Sequence, residues 1–207
     1  MSAGCDNCYM YRDQKRFGHN PSDVHRTAPK TFKSPNGWKE PARIFVCSWS
    51  DFFHPQVPPI VRNEAIDIML RNHQHTYLLL TKRPENIVPM MPTRFFETNP
   101  NVWLGVTAEN QEMHDKRVPI LLDMPAAIKF VSAEPLLGTI LVEKEIDWYI
   151  VGGESGPNFR PMKKHWALDI IVQCMHYEIP VFMKQMSGNT VKDRAVPDDL
   201  KIKEFPK

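Results

Sequence analysis

Trp148-Tyr149-Ile150-Val151 runs straight into Gly152-Gly153-Glu154-Ser155, and this stretch decides the fold. Four consecutive aromatic or β-branched residues suit a strand covered on both faces. The switch to glycine and charge marks where that strand leaves the core. Five other runs repeat the pattern. Ile44-Phe45-Val46-Cys47 precedes Ser48-Trp49-Ser50-Asp51, and Tyr77-Leu78-Leu79-Leu80 precedes Thr81-Lys82-Arg83. Val102-Trp103-Leu104-Gly105-Val106 leads to Thr107-Ala108-Glu109, and Ile128-Lys129-Phe130-Val131 to Ser132-Ala133-Glu134. Val181-Phe182-Met183 ends in Lys184-Gln185. Between the runs lie segments of helical pattern over 59–72, a short turn over 85–88, a polar stretch over 110–122, and 164–177. This alternation predicts an α/β fold with crossover connections and a parallel sheet of about six strands, either open or a partial (β/α) barrel.

Outside that core, a helix is expected over 8–17 and a long loop over 18–41, where Pro, Lys, Ser and Asn show no period. The chain of 207 residues reads as a single domain, with 1–42 as helix and loop, 43–186 as core and 187–207 as a C-terminal extension. The 19 prolines against 9 glycines mean that many turns are set by fixed φ angles. A formal net charge of +2 argues for no particular polyionic partner. No apolar run approaches the roughly 20 residues that span a bilayer, and the N-terminus lacks a signal-peptide pattern. Four scattered cysteines do not make a disulfide framework, so a reducing, cytoplasmic setting is expected.

In parallel α/β folds the carboxyl ends of the strands point one way, and ligands bind there. Any exposed strand end tends to be polar, but here all six are, with glutamates after three of them. That recurrence predicts one functional face. Gly152 and Gly153 permit close approach of a ligand to the backbone, and Glu154 can accept hydrogen bonds from an ammonium or from hydroxyls. As a nucleotide signal this segment is weak, since it is neither G-x-G-x-x-G nor a P-loop. Among the other polar residues, His54 reads as an ordinary loop histidine. Cys174 reads as a buried apolar cysteine within a helix. The five tryptophans are too dispersed to form a base-stacking stripe.

Cys5-Asp6-Asn7-Cys8 is a C-x-x-C, a spacing that brings two thiolates to one side of a tight turn. Zinc needs two further N or S ligands, a thioredoxin-like pair needs a preceding strand, and an iron–sulfur site needs another thiolate. Spacing alone leaves these three open.

Several segments carry a resemblance. Ser2-Ala3-Gly4-Cys5-Asp6-Asn7-Cys8-Tyr9, Phe45-Val46-Cys47-Ser48-Trp49-Ser50-Asp51-Phe52-Phe53-His54 and Leu80-Thr81-Lys82-Arg83-Pro84-Glu85 are joined by Val102-Trp103-Leu104-Gly105-Val106-Thr107. Phe130-Val131-Ser132-Ala133-Glu134-Pro135-Leu136-Leu137-Gly138, Asp147-Trp148-Tyr149-Ile150-Val151-Gly152-Gly153-Glu154-Ser155-Gly156 and Phe182-Met183-Lys184-Gln185 follow in order. Together they resemble a phage-encoded and bacterial family of three-cysteine-motif, radical-SAM-like proteins of uncharacterised activity. The resemblance implies a radical-SAM-type partial barrel that holds a 4Fe-4S cluster through Cys5 and Cys8 and binds S-adenosylmethionine beside it. The family pattern has a third cysteine seven residues before Cys5, ahead of Met1. Residues 1–4 are therefore expected to lie inside that motif, and the chain as given holds two of three cluster ligands. A cluster here is expected to need a substitute (Cys47, a histidine or an external thiol) or to be absent. Asn7 stands where the best-known radical-SAM spacing has an aromatic residue, and Tyr9 follows.

The resemblance also distributes roles. Ser48, Ser50, Asp51, Glu109, Gly152, Gly153, Glu154 and Ser155 are expected around the cofactor, with the glutamates orienting ribose or an ammonium. Lys82, Arg83, Glu134 and Lys184 are expected at the reacting centre, the two basic residues of the second strand end gripping a carboxylate or phosphate. A structural ion pair between Lys82 or Arg83 and one of the glutamates is the competing expectation. The substrate is open. Nucleic acid is one class, with which Lys30, Lys33, Lys39 and Arg43 are compatible, although a solvated loop explains them as well. Two alternatives stand beside the enzyme: an inactive barrel that binds a phage or host partner, and a zinc-binding protein using Cys5 and Cys8.

Overall fold

A computed structural model describes residues 2–207; Met1 lies outside the described residues. Six strands form one sheet in chain order: β1 (Arg43–Val46), β2 (Thr76–Thr81), β3 (Val102–Thr107), β4 (Lys129–Ala133), β5 (Trp148–Gly152) and β6 (Val181–Gln185). Every neighbouring pair is parallel, and the sheet curls into a half-barrel. The helices are α1 (Tyr9–Arg16), α2 (Pro29–Phe32), α3 (Pro59–Arg71), α4 (Ile87–Met90), α5 (Arg94–Thr98), α6 (Gln111–Leu122) and α7 (Lys164–His176). No helix among the described residues is long and apolar enough to cross a membrane.

Side chains alternate across a strand, so residue parity sorts the two faces of the sheet. Tyr77, Leu79, Val102, Leu104, Val106, Val131, Tyr149, Val151, Val181 and Met183 pack with Val118 and Leu121 of α6 and Ala167, Ile170 and Ile171 of α7. That is the outer, helix-covered face. The opposite parity gives Leu78, Phe130, Trp148 and Ile150, joined by Leu80, Trp103 and Phe182, on the inner face. Gly105 belongs to this inner row. Its register partner is Phe130, whose ring comes 2.5 Å from where a Cβ on Gly105 would stand. The glycine makes room for the aromatic floor.

The floor is completed from the other end of the chain. Phe205 packs among the inner aromatics, the Arg43 guanidinium lies 3.7 Å from its ring centre, and Trp148 donates its indole N–H to the Glu204 carbonyl (3.0 Å). Arg43 and Trp148 open their strands, so the C-terminal tail closes the amino end of the half-barrel. The same tail covers the outer edge of β6, with Met183 N–H donating to Ile202 O (2.9 Å) and Glu204 N–H to Val181 O (3.0 Å). An edge strand covered in this way offers no template for pairing. What stays accessible is the opposite, carboxyl end.

Expectation and structure agree on the α/β class, the parallel order and the six strands, and they differ locally. β1 ends at Val46, because Cys47 adopts a left-handed backbone (φ 61°) and turns the chain away. β1 is also half-exposed rather than covered on both faces, with Phe45 45% accessible. The segment 18–41 is not wholly loop, since α2 and a 3₁₀ turn (Ser34–Gly37) interrupt it where prolines pre-set the first turn. α5 has no counterpart in the expected elements. Cys174 is fully buried within α7, as expected, and burial pushes its thiol up to about 12.

His114 of α6 is 1% exposed and shares a hydrogen bond with the Tyr149 hydroxyl (3.1 Å). Burial lowers its pKa from 6.5 to about 4. Between those values the unfolded chain binds a proton that the folded chain does not, so stability falls as the pH drops through that window. The loss is up to about 1.4 kcal/mol per pH unit. In urea unfolding, the stability difference between the parent and His114→Gln is expected to change over this pH range and to stay constant above it.

Candidate functional site

At the open end, the inner-face series runs on from β4 to Glu134 and from β6 to Lys184. Lys184 Nζ lies 3.0 Å from Glu134 Oε1, and the Ser132 hydroxyl donates to Glu134 Oε2 (3.3 Å). The Glu134 carboxylate lies over Gly152, where a Cβ would collide with it, and a Cβ on Gly153 would collide with Ser187. The two glycines are thus required for packing within the protein itself, where a close approach by a ligand was expected. Ser155 forms a parallel backbone bridge with Gly188 just beyond this turn.

Residues 2–9 lie across this opening, tied to the tips of three strands. At β3, Gly4 N–H donates to Glu109 Oε1 (3.1 Å), while Arg117 of α6 reaches Glu109 Oε2 (3.1 Å), the Thr107 carbonyl (2.7 Å) and the Ser2 hydroxyl (3.1 Å). At β5, Glu154 accepts from Asn7 Nδ2 (3.1 Å) and from Arg160 through Nε (3.2 Å), Nη2 (2.6 Å) and the backbone N–H (2.7 Å). Beyond β1, the Tyr9 hydroxyl donates to Ser48 O (2.8 Å). Between these ties the chain makes a tight turn, closed by Cys8 N–H to Cys5 O (3.3 Å), and α1 starts immediately after Cys8. Both cysteines are free thiols of intermediate burial. Cys5 also borders a cavity of about 670 Å³ whose wall includes Lys82, Arg83, Met113 and Lys116.

Both expected cofactor glutamates therefore have another role. Glu109 is fully buried and Glu154 nearly so, and both are occupied by protein donors. Burial pushes each carboxyl upward, but the donated hydrogen bonds and the arginine beside each outweigh it and hold both below the usual carboxylate range. These are clamps for the cysteine turn. Glu134 keeps partial access to the opening. The Cys8 thiol is raised by burial, partly offset by the Met10 N–H at the start of α1 and by the charge of Lys82.

The other expected residues divide in the same way. Asp51 accepts from the Thr81 hydroxyl (2.8 Å), Phe53 N–H (3.0 Å), Lys82 N–H (3.0 Å) and Arg83 Nη1 (3.0 Å), so it splices the β1 and β2 tips together. The competing expectation, an ion pair of Lys82 or Arg83 with a glutamate, is not met: Arg83 pairs with Asp51 instead. Lys82 forms no ion pair among the described residues. The Ser50 hydroxyl bonds the Cys47 thiol, and Ser48 accepts from Tyr9 through its carbonyl. His54 turns its ring toward the Gln56 backbone, the behaviour of an ordinary loop histidine. Of the basic stretch, Lys33 faces Glu64 (3.8 Å) and Arg43 is stacked on Phe205 at the closed end, so these residues form no row of free cations beside the opening.

Sequence reasoning missed Arg117, Arg160, Asn7 and Tyr9. Arg117 lies two turns along α6 from Glu109, a spacing that signals nothing for a residue outside the helix. Arg160 sits in a proline-flanked loop with no periodic pattern at all.

The Glu109–Arg117 pair is the buried one, with side chains 0% and 6% exposed. Breaking such a pair from one side leaves an uncompensated charge in the core. Arg117→Met is expected to lower unfolding free energy by about 3–5 kcal/mol. The double variant with Glu109→Gln is expected to lose less, as chemical denaturation of the four-member cycle will read out.

No curated protein and no solved structure matches the chain. A family model described as Protein of unknown function (DUF5131) matches residues 1–202, nearly the whole length, and the chain belongs to that family.

Proposed function

We propose that the chain is a radical-S-adenosylmethionine-type iron–sulfur protein whose working surface is the carboxyl end of the half-barrel. One observation carries this reading: every residue flanking the two cysteines is anchored, and neither thiol is tied up in a disulfide. Gly4 and Asp6 beside Cys5 are held by Glu109 and Arg160; Asn7 and Tyr9 beside Cys8 are held by Glu154 and the Ser48 carbonyl. A segment built only to cover the opening needs no such anchor on each side of each cysteine. The location, over the strand tips of a parallel sheet, is where α/β folds place their ligands.

The donor set fits an iron–sulfur cluster in kind and falls one ligand short in number. Two thiolates on one turn are cluster ligands. Among the described residues, however, no third His, Cys, Asp or Glu is grouped with them. Zinc fits worse, since two further N or S ligands are lacking. No chemical step is therefore drawn through the cluster. What the chain's own residues provide is an anchored cysteine turn with Lys82 beside it, and the Glu134–Lys184 ion pair at the same carboxyl end of the sheet, to orient a polar substrate. Free thiols throughout suit a reducing compartment such as the cytoplasm. The same shortfall favours a second reading, a barrel that binds a partner without metal.

Anaerobic incubation of the chain with ferrous iron, sulfide and excess dithiothreitol, followed by desalting, separates these readings. Retained iron and acid-labile sulfide are expected in the parent and absent from Cys5→Ser and Cys8→Ser, with S-adenosylmethionine binding only to the loaded protein. Desalted parent without iron, or serine variants that retain as much as the parent, would contradict the proposal. Zinc retention in place of iron would assign the pair to zinc.

A further inference from the structure

Of the two arginines that close the clamps, only one grips the cysteine turn itself. Arg117 is almost completely buried and binds Thr107 O, Glu109 and Ser2, ahead of the turn. Arg160 is 32% exposed and spreads across the turn. Its Nη2 donates to Ala3 O (2.8 Å) and to Glu154 Oε1 (2.6 Å), its Nη1 reaches Asp6 Oδ2 (3.4 Å), and its Nε donates to Glu154 Oε2 (3.2 Å). Ala3 and Asp6 bracket Cys5. Glu154 in turn holds Asn7, whose second hydrogen bond goes to Asn158 O (2.9 Å), next to Cys8. One planar guanidinium thus fixes both sides of Cys5 directly and one side of Cys8 through a single carboxylate. No other described side chain connects the flanks of both cysteines.

We infer that Arg160 is a positioning residue that sets the spacing and access of the Cys5–Cys8 thiol pair. The inference deepens the proposed function by naming what presents its ligand pair. The role belongs to arginine in particular. Five donors in a rigid fork serve the Ala3 carbonyl, Asp6 and both oxygens of Glu154 together, whereas a lysine ammonium cannot span them. Because Arg160 is partly exposed and Glu154 keeps the Asn7 amide and the residue-160 backbone N–H as donors, its loss frees the turn without stripping the buried carboxylate of every partner. Arg117, rooted on β3 and α6, is the structural partner.

The test reads thiol access directly and needs no metal. The parent, Arg160→Met and Arg160→Lys are alkylated with iodoacetamide, and peptide mass spectrometry follows Cys5, Cys8 and Cys174 separately. Removing charge-assisted hydrogen bonds from a locally opening segment raises its open population. Cys5 and Cys8 are therefore expected to react about ten- to a hundred-fold faster in Arg160→Met. Cys174, deep in α7, is expected to keep its parent rate and so to report an intact core. Arg160→Lys keeps a charge beside Glu154 and is expected to fall between the parent and Arg160→Met at Cys5. Parent-like rates at Cys5 and Cys8 in both variants would overturn the inference. So would a Cys174 rate that rises in step with theirs, since that marks general destabilisation. An unreactive iron reconstitution with accelerated alkylation would remove the cluster and leave Arg160 in place; the converse result would remove Arg160 alone.

Discussion

Carboxylates at the tips of β3 and β5, each closed by an arginine, hold the amino-terminal turn against the sheet. Those two contacts, with the Tyr9–Ser48 tie, place Cys5 beside Lys82, because residues 2–8 bury little apolar surface of their own. Burying a charge is costly unless it is paired and hydrogen-bonded. Glu109 meets that condition through Arg117 and the Gly4 amide, and Glu154 through Arg160 and Asn7. The same hydrogen bonds that keep the carboxylates ionised fix the backbone on either side of the thiols. Electrostatic satisfaction and positioning are here one arrangement.

The rest of the fold makes that end of the sheet the only accessible one for the inner face. Phe205 and the tail from Lys201 onward close the amino end, aromatic residues fill the middle, and the helices cover the outside. Gly105 and Gly152 are the adjustments that this filling demands, one admitting the Phe130 ring and the other the Glu134 carboxylate. Polar chemistry is left to the carboxyl tips, where Ser132, Glu134 and Lys184 face the opening.

Much of this was legible in the sequence. Six short β-rich runs alternating with helical patterns gave a parallel α/β sheet, and the polar residues after each run marked the end at which its carboxyl tips gather. The limits of legibility are physical. Glu109, Glu134 and Glu154 look alike in sequence, each a glutamate after a strand, yet two are buried clamps and one faces the opening. What separates them is a partner distant in space and silent in pattern, Arg117 or Arg160. Cys47 looked like the last residue of β1 because it is apolar, and only its left-handed backbone shows that it begins the turn. The tail seemed an extension because Phe205 is a lone aromatic among lysines, with no period to announce that it plugs the half-barrel.

The seating of residues 2–9 on the strand tips is the claim from which the thiol pair's role follows. Amide hydrogen exchange at Gly4, followed by NMR, reads it at one atom. Gly4 N–H is buried and donates to Glu109, so it is expected to be protected close to the level of the β3 amides despite standing four residues from the start of the chain. Exchange of the Gly4 amide at the rate of an unstructured N-terminus would contradict the account.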